Sequence, residues 1–364
     1  MKKLVFMLMF FALITGCQKK AEEIKIGVAG PMTGDQAQFG MDELNAVKLA
    51  VEEWNAKGGL LGKKIVIIEG DDQADPKQAV TVAKWFATEK VAGVIGHYNS
   101  SCSIPASEVY NKAGIPQISH GSTNPTLTDR DYKNVSRVCG RDDQIARIAA
   151  EYALNILKVK NVVILHDKTT YGQGFADEAI KILGDKANVL LFEGINTGEK
   201  DYTAIATKVH ALAPDIIFFG GFFPEGGLII KEYKGLGGKA PLIGGDGILN
   251  EELCKIAGPA AEDTLAVFGP DAAKLPDAKA FAGDYEKKYG KPGIFSFYAY
   301  DATNVLLTAI KTAGTVESAK VIDAIRATEY NGVTGHIKFD AKGDPAKPPL
   351  VFWKVSGGSF KQVD

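Results

Sequence analysis

Residues 215–235 read DIIFFGGFFPEGGLIIKEYKG, and the order of apolar, glycine-rich and helical segments in this stretch indicates the fold class. The strand predicted over residues 215–219 is almost wholly apolar, which is typical of a strand buried on both faces. A glycine-rich loop follows, and a helix is predicted over residues 226–235. A buried strand joined to a helix is the unit from which parallel sheets with helical covers are built.

This unit recurs along the chain in two arrays. The first array starts at residue 24, and the second starts after Gly140-Arg141-Asp142. Strands are predicted over 24–29, 65–69, 91–96, 116–119, 162–166, 189–192, 215–219 and 241–244. Three helices (278–289, 296–313, 318–327) and a final pair of strands (336–339, 350–354) follow. We therefore predict an α/β protein with two doubly wound parallel-sheet lobes and a ligand cleft at the carboxyl ends of their strands.

Composition excludes several classes of protein. The chain has 364 residues, of which 46% are hydrophobic and 24% are charged, so neither a disordered nor a fibrous protein is expected. Its 42 basic residues balance 44 acidic residues, which leaves no basic surface for a phosphate backbone. Nucleic acid is not an expected partner.

The N-terminus is typical of an exported lipoprotein. Two lysines precede an apolar run over residues 4–14, which is too short to span a membrane. Small residues then precede Cys17 in a pattern that resembles the bacterial lipobox. We predict that residues 1–16 are a lipoprotein signal peptide and that Cys17 carries a lipid anchor, which places the protein in the periplasm or cell envelope. The alternative is a signal peptide with an incidental cysteine.

Cys102, Cys139 and Cys254 are the remaining cysteines. They form no Cys-x-x-Cys motif and have no histidine at metal-ligand spacing, so a zinc site is not supported. Because an exported protein can keep disulfides, both buried free thiols and a Cys102–Cys139 bridge are compatible with the sequence.

Two loops after predicted strands are small and rich in hydroxyl groups. Residues 96–103 read GHYNSSCS, and residues 119–125 read SHGSTNP. Free N–H groups at the starts of helices, together with the hydroxyls of Ser100 and Thr123, can hold a carboxylate without an arginine. Either hydroxyl alone is as typical of a helix N-cap, but two such loops side by side favour a ligand.

An acid and several aromatic residues complete the candidate site. Asp246 lies among glycines at the end of a predicted strand and can hold an ammonium group; an Asx turn or helix cap is the alternative. Five aromatic residues can line an apolar pocket, although aromatic residues more often belong to the core. They are Phe39, Tyr98, Tyr171, Phe222 and Phe295.

Catalytic motifs are missing from the sequence. There is no Gly-x-Ser-x-Gly elbow and no His-Glu-x-x-His motif. His97, His120 and His166 lie at predicted strand ends, so a histidine base acting on Ser100 is the enzymatic alternative. We predict binding without catalysis, metal or cofactor.

Several blocks, in order, resemble the leucine/isoleucine/valine-binding proteins, the periplasmic receptors of branched-chain amino acid ABC transporters. The likeness covers nearly the whole chain after the signal peptide. Its most specific blocks are DDQADPKQ (71–78), IGH (95–97), HDK (166–168) with YG (171–172), GEKD (198–201), and GG (220–221) with PE (224–225).

The resemblance implies a type I periplasmic-binding fold that closes on its ligand around three hinge crossings. Residues 22–141 plus 269–348 would form the N-terminal lobe, and residues 142–268 plus 349–364 the C-terminal lobe. The implied carboxylate contacts are Ser100, Thr123 and the backbone of Gly121, and the ammonium contact is Asp246. Phe39, Tyr98, Tyr171, Phe222 and Phe295 would line the pocket. The implied partners of this monomer are an amino acid and a membrane ABC permease.

The chain departs from the family pattern at the site. Asp246 and Phe222 stand where the family has Glu and Tyr, and Ala74 and Asn99 stand where enteric members have a disulfide. We predict an α-amino acid ligand with a branched-chain or similarly apolar side chain. The alternatives are an aromatic amino acid, a γ-amino acid or an amide, a ligand-sensing module and, last, an exported hydrolase.

Overall fold

Five parallel strands form the first sheet, in the order β2-β1-β3-β4-β5. The structure, a computed structural model, describes residues 23–363, so the predicted signal peptide and Cys17 lie outside the described residues. The strands are β1 (Glu23–Gly30), β2 (Lys64–Asp71), β3 (Val94–Gly96), β4 (Gln117–Ser119) and β5 (Val135–Arg137). Helices α1 (Ala37–Ala56), α2 (Pro76–Glu89), α3 (Ser100–Ala113) and α4 (Thr126–Asp129) connect them.

The second sheet repeats this order and extends it. Its parallel part runs β7-β6-β8-β9-β10, and two antiparallel strands, β13 and β14, are added next to β10. The parallel strands are β6 (Asn161–His166), β7 (Asn188–Gly194), β8 (Ile216–Gly220), β9 (Leu242–Gly244) and β10 (Leu265–Phe268). Helices α5 (Asp142–Asn155), α6 (Thr170–Leu183), α7 (Thr203–Leu212), α8 (Phe223–Gly235) and α9 (Glu251–Ala257) accompany them. The fold is therefore of the predicted α/β class with two lobes.

Local sequence explains the best-defined boundaries. All five residues of β8 are buried, as its apolar sequence predicts. Helix α2 starts where Asp75 caps it: the carboxylate accepts the N–H groups of Lys77 and Gln78, both at 2.8 Å, and Pro76 occupies the first turn. The cap fixes the loop between β2 and α2 at the carboxyl edge of the sheet, which is where ligands of α/β proteins bind.

The chain passes between the two sheets three times. It leaves the first sheet after β5 and the second after β10, and it returns to the second sheet at β13 (Val351–Val355), which is followed by β14 (Phe360–Val363). Between β10 and β13 lie α10 (Ala278–Tyr289), α11 (Ile294–Ala313), α12 (Ser318–Arg326), β11 (Glu329–Gly332) and β12 (Gly335–Lys338). Helix α11 packs on α1, β3 and β4 of the first lobe. The residue boundaries of the two lobes stay a prediction.

Some expectations about the elements were wrong. The final two predicted strands are not partners: β12 pairs with β11, and β13 pairs with β10 and β14. Strand β11 (EYNG) is polar, and two of its four residues are exposed, so it carries no apolar pattern that would reveal it. Helix α3 begins at Ser100, four residues before the predicted start at residue 104. The prediction was late because the serines of its first turn and Pro105 are residues typical of loops.

Cys102, Cys139 and Cys254 are buried free thiols, so the alternative of a Cys102–Cys139 bridge is not realised. Burial raises the pKa of the Cys254 thiol to about 11 and raises those of the other two further. All three thiols therefore stay protonated and unreactive at neutral pH. Within residues 23–363, no helix combines the length and the apolar character needed to cross a bilayer.

Candidate functional site

Loops of both lobes meet at the carboxyl ends of the strands, and this is where the structure places all nine predicted ligand-binding residues. Each of the nine is buried. The lobes contact each other directly, because the Asn124 side-chain amide donates to the Thr170 carbonyl at 2.8 Å and the Tyr98 and Phe222 rings lie 6.3 Å apart. The site is therefore enclosed between the two lobes.

The loops after β3 and β4 supply hydrogen-bond donors. Ser100 is the first residue of α3, and its Oγ accepts the Asn124 N–H at 3.2 Å, which leaves its own proton to donate. The buried Thr123 Oγ1 has no hydrogen bond of normal geometry, but it lies near the Asp142 carboxyl and acts to lower its pKa. Neither hydroxyl caps its helix, since Asn99 and Pro125 hold the N-cap positions, so the capping alternatives were wrong.

Gly121 fits closely under an aromatic ring. A Cβ at this position would lie 2.4 Å from Cδ2 of Tyr98, so any side chain there would displace the ring. The loop turns around Ser119, whose hydroxyl accepts the Ser122 N–H at 2.9 Å. The Gly121 backbone is thus held against Tyr98 by packing and by the turn.

Asp246 faces the site from the second lobe, just after β9. It is 2% exposed, and its Oδ1 has no hydrogen-bond partner. Burial raises the pKa of this carboxyl to about 7, while its own N–H and the Tyr171 hydroxyl act in the opposite direction. Asn250, not Asp246, caps α9, which removes the helix-cap alternative.

Tyr171 is positioned by the backbone beside Asp246. Its hydroxyl accepts the Gly247 N–H at 3.0 Å. A Cβ at Gly247 would lie 2.6 Å from the Gly221 carbonyl oxygen and 2.8 Å from the Tyr171 ring. Glycine at this position therefore lets the loop after β9, which carries Asp246, approach both the loop after β8 and Tyr171 at the start of α6.

Aromatic rings from both lobes form one connected wall. Phe39 stacks on Tyr98 with ring centroids 4.6 Å apart, and Phe295 meets both rings edge to face, at 5.5 and 4.9 Å. From the second lobe, Phe222 lies 5.1 Å from Tyr171. The sequence did not single out Phe223, which lies 5.4 Å from Phe39. The fold therefore brings the five predicted aromatic residues into one cluster of contacting rings.

Sequence analysis missed a second acid, Asp142, the first residue of α5. Its side chain is completely buried, and neither carboxylate oxygen has a hydrogen bond of normal geometry, although the Thr123 hydroxyl lies near. Burial and the nearby Asp246 raise the pKa of Asp142 well above its usual range. The motif Gly-Arg-Asp-Asp at 140–143 resembles an ordinary helix start, so no local signal marks Asp142 as part of a site.

His97 is hydrogen-bonded away from Ser100, and neither ring nitrogen of the buried His120 has a hydrogen-bond partner. His97 Nδ1 lies 2.6 Å from Asp72 Oδ2, and its Nε2 lies 3.0 Å from the Tyr110 hydroxyl. His120 Nδ1 lies 3.6 Å from Glu43 Oε1. Burial lowers the pKa of His120 to about 3, so it is neutral. His166 Nδ1 accepts the Lys168 N–H at 3.2 Å, so in the described part of the chain none of these three histidines is hydrogen-bonded to Ser100.

A cavity of about 460 Å³ lies between the lobes and shares Phe39 and Phe295 with the site. Its other lining side chains include Asp42, Glu251 and Lys291. It is more open and more charged than the buried cluster of predicted residues. Within residues 23–363, no group of three or more histidine, cysteine or acidic side chains is arranged to hold a metal ion.

Comparison with known proteins assigns the chain to a family. The model of the periplasmic binding protein family matches residues 23–359. Leu/Ile/Val-binding protein homolog 2 of Brucella abortus (strain 2308) is 42% identical over 338 residues, which cover 92% of this chain and 91% of the relative.

Solved structures show the same fold. Leucine-binding protein LivK of Thermotoga maritima superposes with a TM-score of 0.87 at 30% identity, over 94% of this chain and 98% of its own. The branched-chain amino acid transporter substrate-binding protein LivJ of Streptococcus pneumoniae, solved with isoleucine, superposes with a TM-score of 0.86 at 28% identity, over 94% and 100%.

Proposed function

Because the chain belongs to the periplasmic binding protein family, we propose that it captures an α-amino acid with a branched side chain (Leu, Ile or Val) and delivers it to the permease of an ABC transporter. Relatives named for binding these amino acids support the choice of ligand. We propose that residues 22–141 plus 269–348 and residues 142–268 plus 349–364 are the lobes that close on it.

One observation carries this proposal: donors and acceptors without partners are buried together between the lobes. Thr123 Oγ1 and the Tyr98 hydroxyl lie on the first lobe, and the carboxylates of Asp142 and Asp246 on the second. Buried polar groups are normally hydrogen-bonded, so the gathering of several unpaired groups at one place favours a ligand with both an acceptor and a donor end. A zwitterion meets the requirement, with its carboxylate at Ser100, Gly121 and Thr123 and its ammonium at Asp246 and Asp142.

The aromatic wall supports an apolar side chain on the ligand. The buried rings of Phe39, Tyr98, Tyr171, Phe222 and Phe295 form this wall, and apart from the two tyrosine hydroxyls they offer only apolar surface. Burial of the ligand's methyl and methylene groups against these rings adds about 0.8 kcal/mol for each CH₂. Since no bond is made or broken in such capture, we propose that the protein is a receptor and not an enzyme. Such a receptor needs neither a cofactor nor a metal ion.

We further propose that the protein is exported and anchored. Residues 1–16 would be removed, and a lipid on Cys17 would hold the protein at the membrane face where the permease lies. A monomer suffices for this role, because one pair of lobes encloses the whole site. Nucleic acid has no part in it, given the near balance of 42 basic and 44 acidic residues.

Two isoleucine analogues test whether both ends of a zwitterion are bound. Isoleucinamide lacks the carboxylate, and the 2-hydroxy acid lacks the ammonium group. We expect each to bind at least about 30-fold more weakly than isoleucine in calorimetry, because each leaves buried charged or polar groups unpaired. Equal affinities for all three compounds would contradict the proposed function.

Binding should also depend on pH through Asp246. The pKa of its carboxyl is raised to about 7, whereas an ammonium ligand pairs with the ionised form. Below pH 7 the free protein must therefore release a proton on binding. We expect the affinity to fall about tenfold for each pH unit below 7 and to be nearly constant above pH 8.

Calorimetry in two buffers of different ionisation enthalpy measures this proton release directly. At pH 6 we expect close to one proton released for each amino acid bound. Burial and the nearby Asp246 also raise the pKa of the Asp142 carboxyl well above its usual range. An affinity that does not change from pH 5 to 8 would exclude Asp246 as the ammonium partner.

A further inference from the structure

A completely buried arginine lies beside the candidate site without belonging to it. Arg137 ends β5 and is 0% exposed. Its Nε donates to Asp344 Oδ1 at 2.6 Å, and Asp344, which is 2% exposed, follows 207 residues later in the chain. A buried charge is stable only when it is paired and hydrogen-bonded, so this pair holds a fixed geometry.

The other end of Arg137 holds the loop that carries Thr123. Its Nη1 donates to the Ser122 carbonyl at 2.6 Å, and its Nη2 donates to the Asn124 carbonyl at 3.0 Å. The Asp142 N–H donates to the remaining carbonyl, that of Thr123, at 2.9 Å. Three successive carbonyls are thus turned away from the ligand side of the loop.

Asp344 connects this loop to two of the three crossings between the lobes. Its Oδ2 accepts Arg141 Nη1 at 2.7 Å, and both of its oxygens accept the Thr128 hydroxyl at 2.9 Å. Arg141 lies in the crossing from β5 to α5, and Asp344 lies in the crossing from β12 to β13. Arg137, Asp344, Arg141 and Thr128 will be called the hinge cluster.

We propose that the hinge cluster positions the ligand loop and couples it to the crossings, so that ligand affinity depends on side chains that do not touch the ligand. Arg137 is the positioning residue, and Asp344 fixes its orientation. The inference rests on the proposed function, since it concerns the loop that would bind the amino-acid carboxylate. The proposal adds that the loop that binds the carboxylate is connected, through the hinge cluster, to the crossings around which the lobes would move.

The physical reason is that a bidentate guanidinium fixes orientation as well as position. If Asp344 no longer holds Nε, the guanidinium can rotate, and the carbonyls of Ser122 and Asn124 lose their donors. The loop then samples other orientations, and its donors no longer converge on one carboxylate. Part of the binding free energy is consequently spent on ordering the loop.

Asp344→Asn is the main test, because it keeps the volume but removes the charge and one of the two acceptor oxygens, so the amide can no longer hold both Arg137 and Arg141. We expect it to weaken isoleucine binding about tenfold or more, in line with coupling through a connected network. Thr128→Val removes a hydroxyl of the same cluster, keeps the side-chain shape and should also weaken isoleucine binding. If Asp344→Asn does not fold, the affinity of Thr128→Val tests the proposal instead.

Arg326→Lys is the matched control. Arg326 donates to the carbonyls of Tyr132 and Val135, near the same crossing, but reaches no residue of the 121–124 loop. We expect it to lower the melting temperature and to leave isoleucine affinity within about twofold. Loss of affinity that follows loss of stability in all three variants would show a merely structural role and overturn the proposal.

A second measurement separates this proposal from the proposed function. In ¹⁵N-labelled protein freed of amino acid, the amide signals of Ser122, Thr123 and Asn124 should shift or broaden in Asp344→Asn and Thr128→Val, but not in Arg326→Lys. If the unaltered protein bound no amino acid, the proposed function would fail and these signals alone would decide on the cluster. Unchanged signals would refute the positioning role.

Discussion

Asp246→Asn should weaken the binding of isoleucine by about 2–5 kcal/mol, which is the loss expected when one partner of a buried charge pair is removed. Asparagine keeps the size of the side chain, so the packing around Tyr171 and Gly247 is retained. The ligand ammonium would then face an uncharged amide in a buried site. Calorimetry with isoleucine measures the loss directly.

The same substitution should raise the stability of the protein freed of amino acid. In the folded protein the pKa of Asp246 is raised from 3.8 to about 7, so the folded state binds a proton more tightly than the unfolded state. Stability is therefore lost as the pH rises from about 4 to 7. Above pH 7, Asp246→Asn should have the higher melting temperature, by a few degrees.

Asp301→Asn serves as the control for this prediction. Asp301 is also a buried acid, with a pKa raised by burial to about 6, but it accepts the N–H groups of Val333 and Thr334 in the first lobe. Its replacement should reduce stability and leave affinity unchanged. If the two variants bound isoleucine equally well, Asp246 would not be a ligand contact.

Thr123→Val should weaken isoleucine binding by about 1.5–3 kcal/mol, the usual contribution of a hydrogen bond to a charged group. Valine has the shape of threonine without its hydroxyl, and the Thr123 hydroxyl is buried without a protein partner. Stability should therefore change little, because the nearby Asp142 carboxyl lies outside normal hydrogen-bond geometry from the Thr123 hydroxyl. Titration calorimetry and a thermal melt of the same sample check both statements.

Thr264→Val is the matched control for Thr123→Val. Thr264 is a completely buried threonine whose Oγ1 likewise has no hydrogen-bond partner, but it lies beside β10, outside the loops of the site. Its replacement should leave both affinity and stability close to those of the unaltered protein. An equal loss of affinity in both variants would show that the effect at Thr123 is not a ligand contact.

The fold follows from local patterns in the sequence, because a buried strand such as β8 and a capped helix such as α2 are each specified within about 15 residues. Loops after such strands can be assigned to the sheet edge for the same reason, which is how Ser100, Thr123 and Asp246 were selected. Strands β11 and β14 escaped prediction because short, partly exposed strands lack an apolar period.

Contacts between distant segments could not be predicted. Asp142 looks like an ordinary first-turn acid of α5, and only the packing of α5 against the second sheet buries it beside Asp246. The Arg137–Asp344 pair joins positions 207 residues apart, and no spacing in the sequence indicates it. Such pairs depend on how the chain crosses between the lobes, which is a property of the tertiary fold.

The central claim is that the protein captures an α-amino acid by its two charged ends in an apolar cleft. Titration calorimetry of protein that has been unfolded, freed of bound small molecules and refolded tests it most directly, with each of the twenty amino acids as ligand. We expect one-to-one binding of leucine, isoleucine or valine, together with a rise in melting temperature. Neither heat nor a melting shift with any of the twenty would contradict the claim.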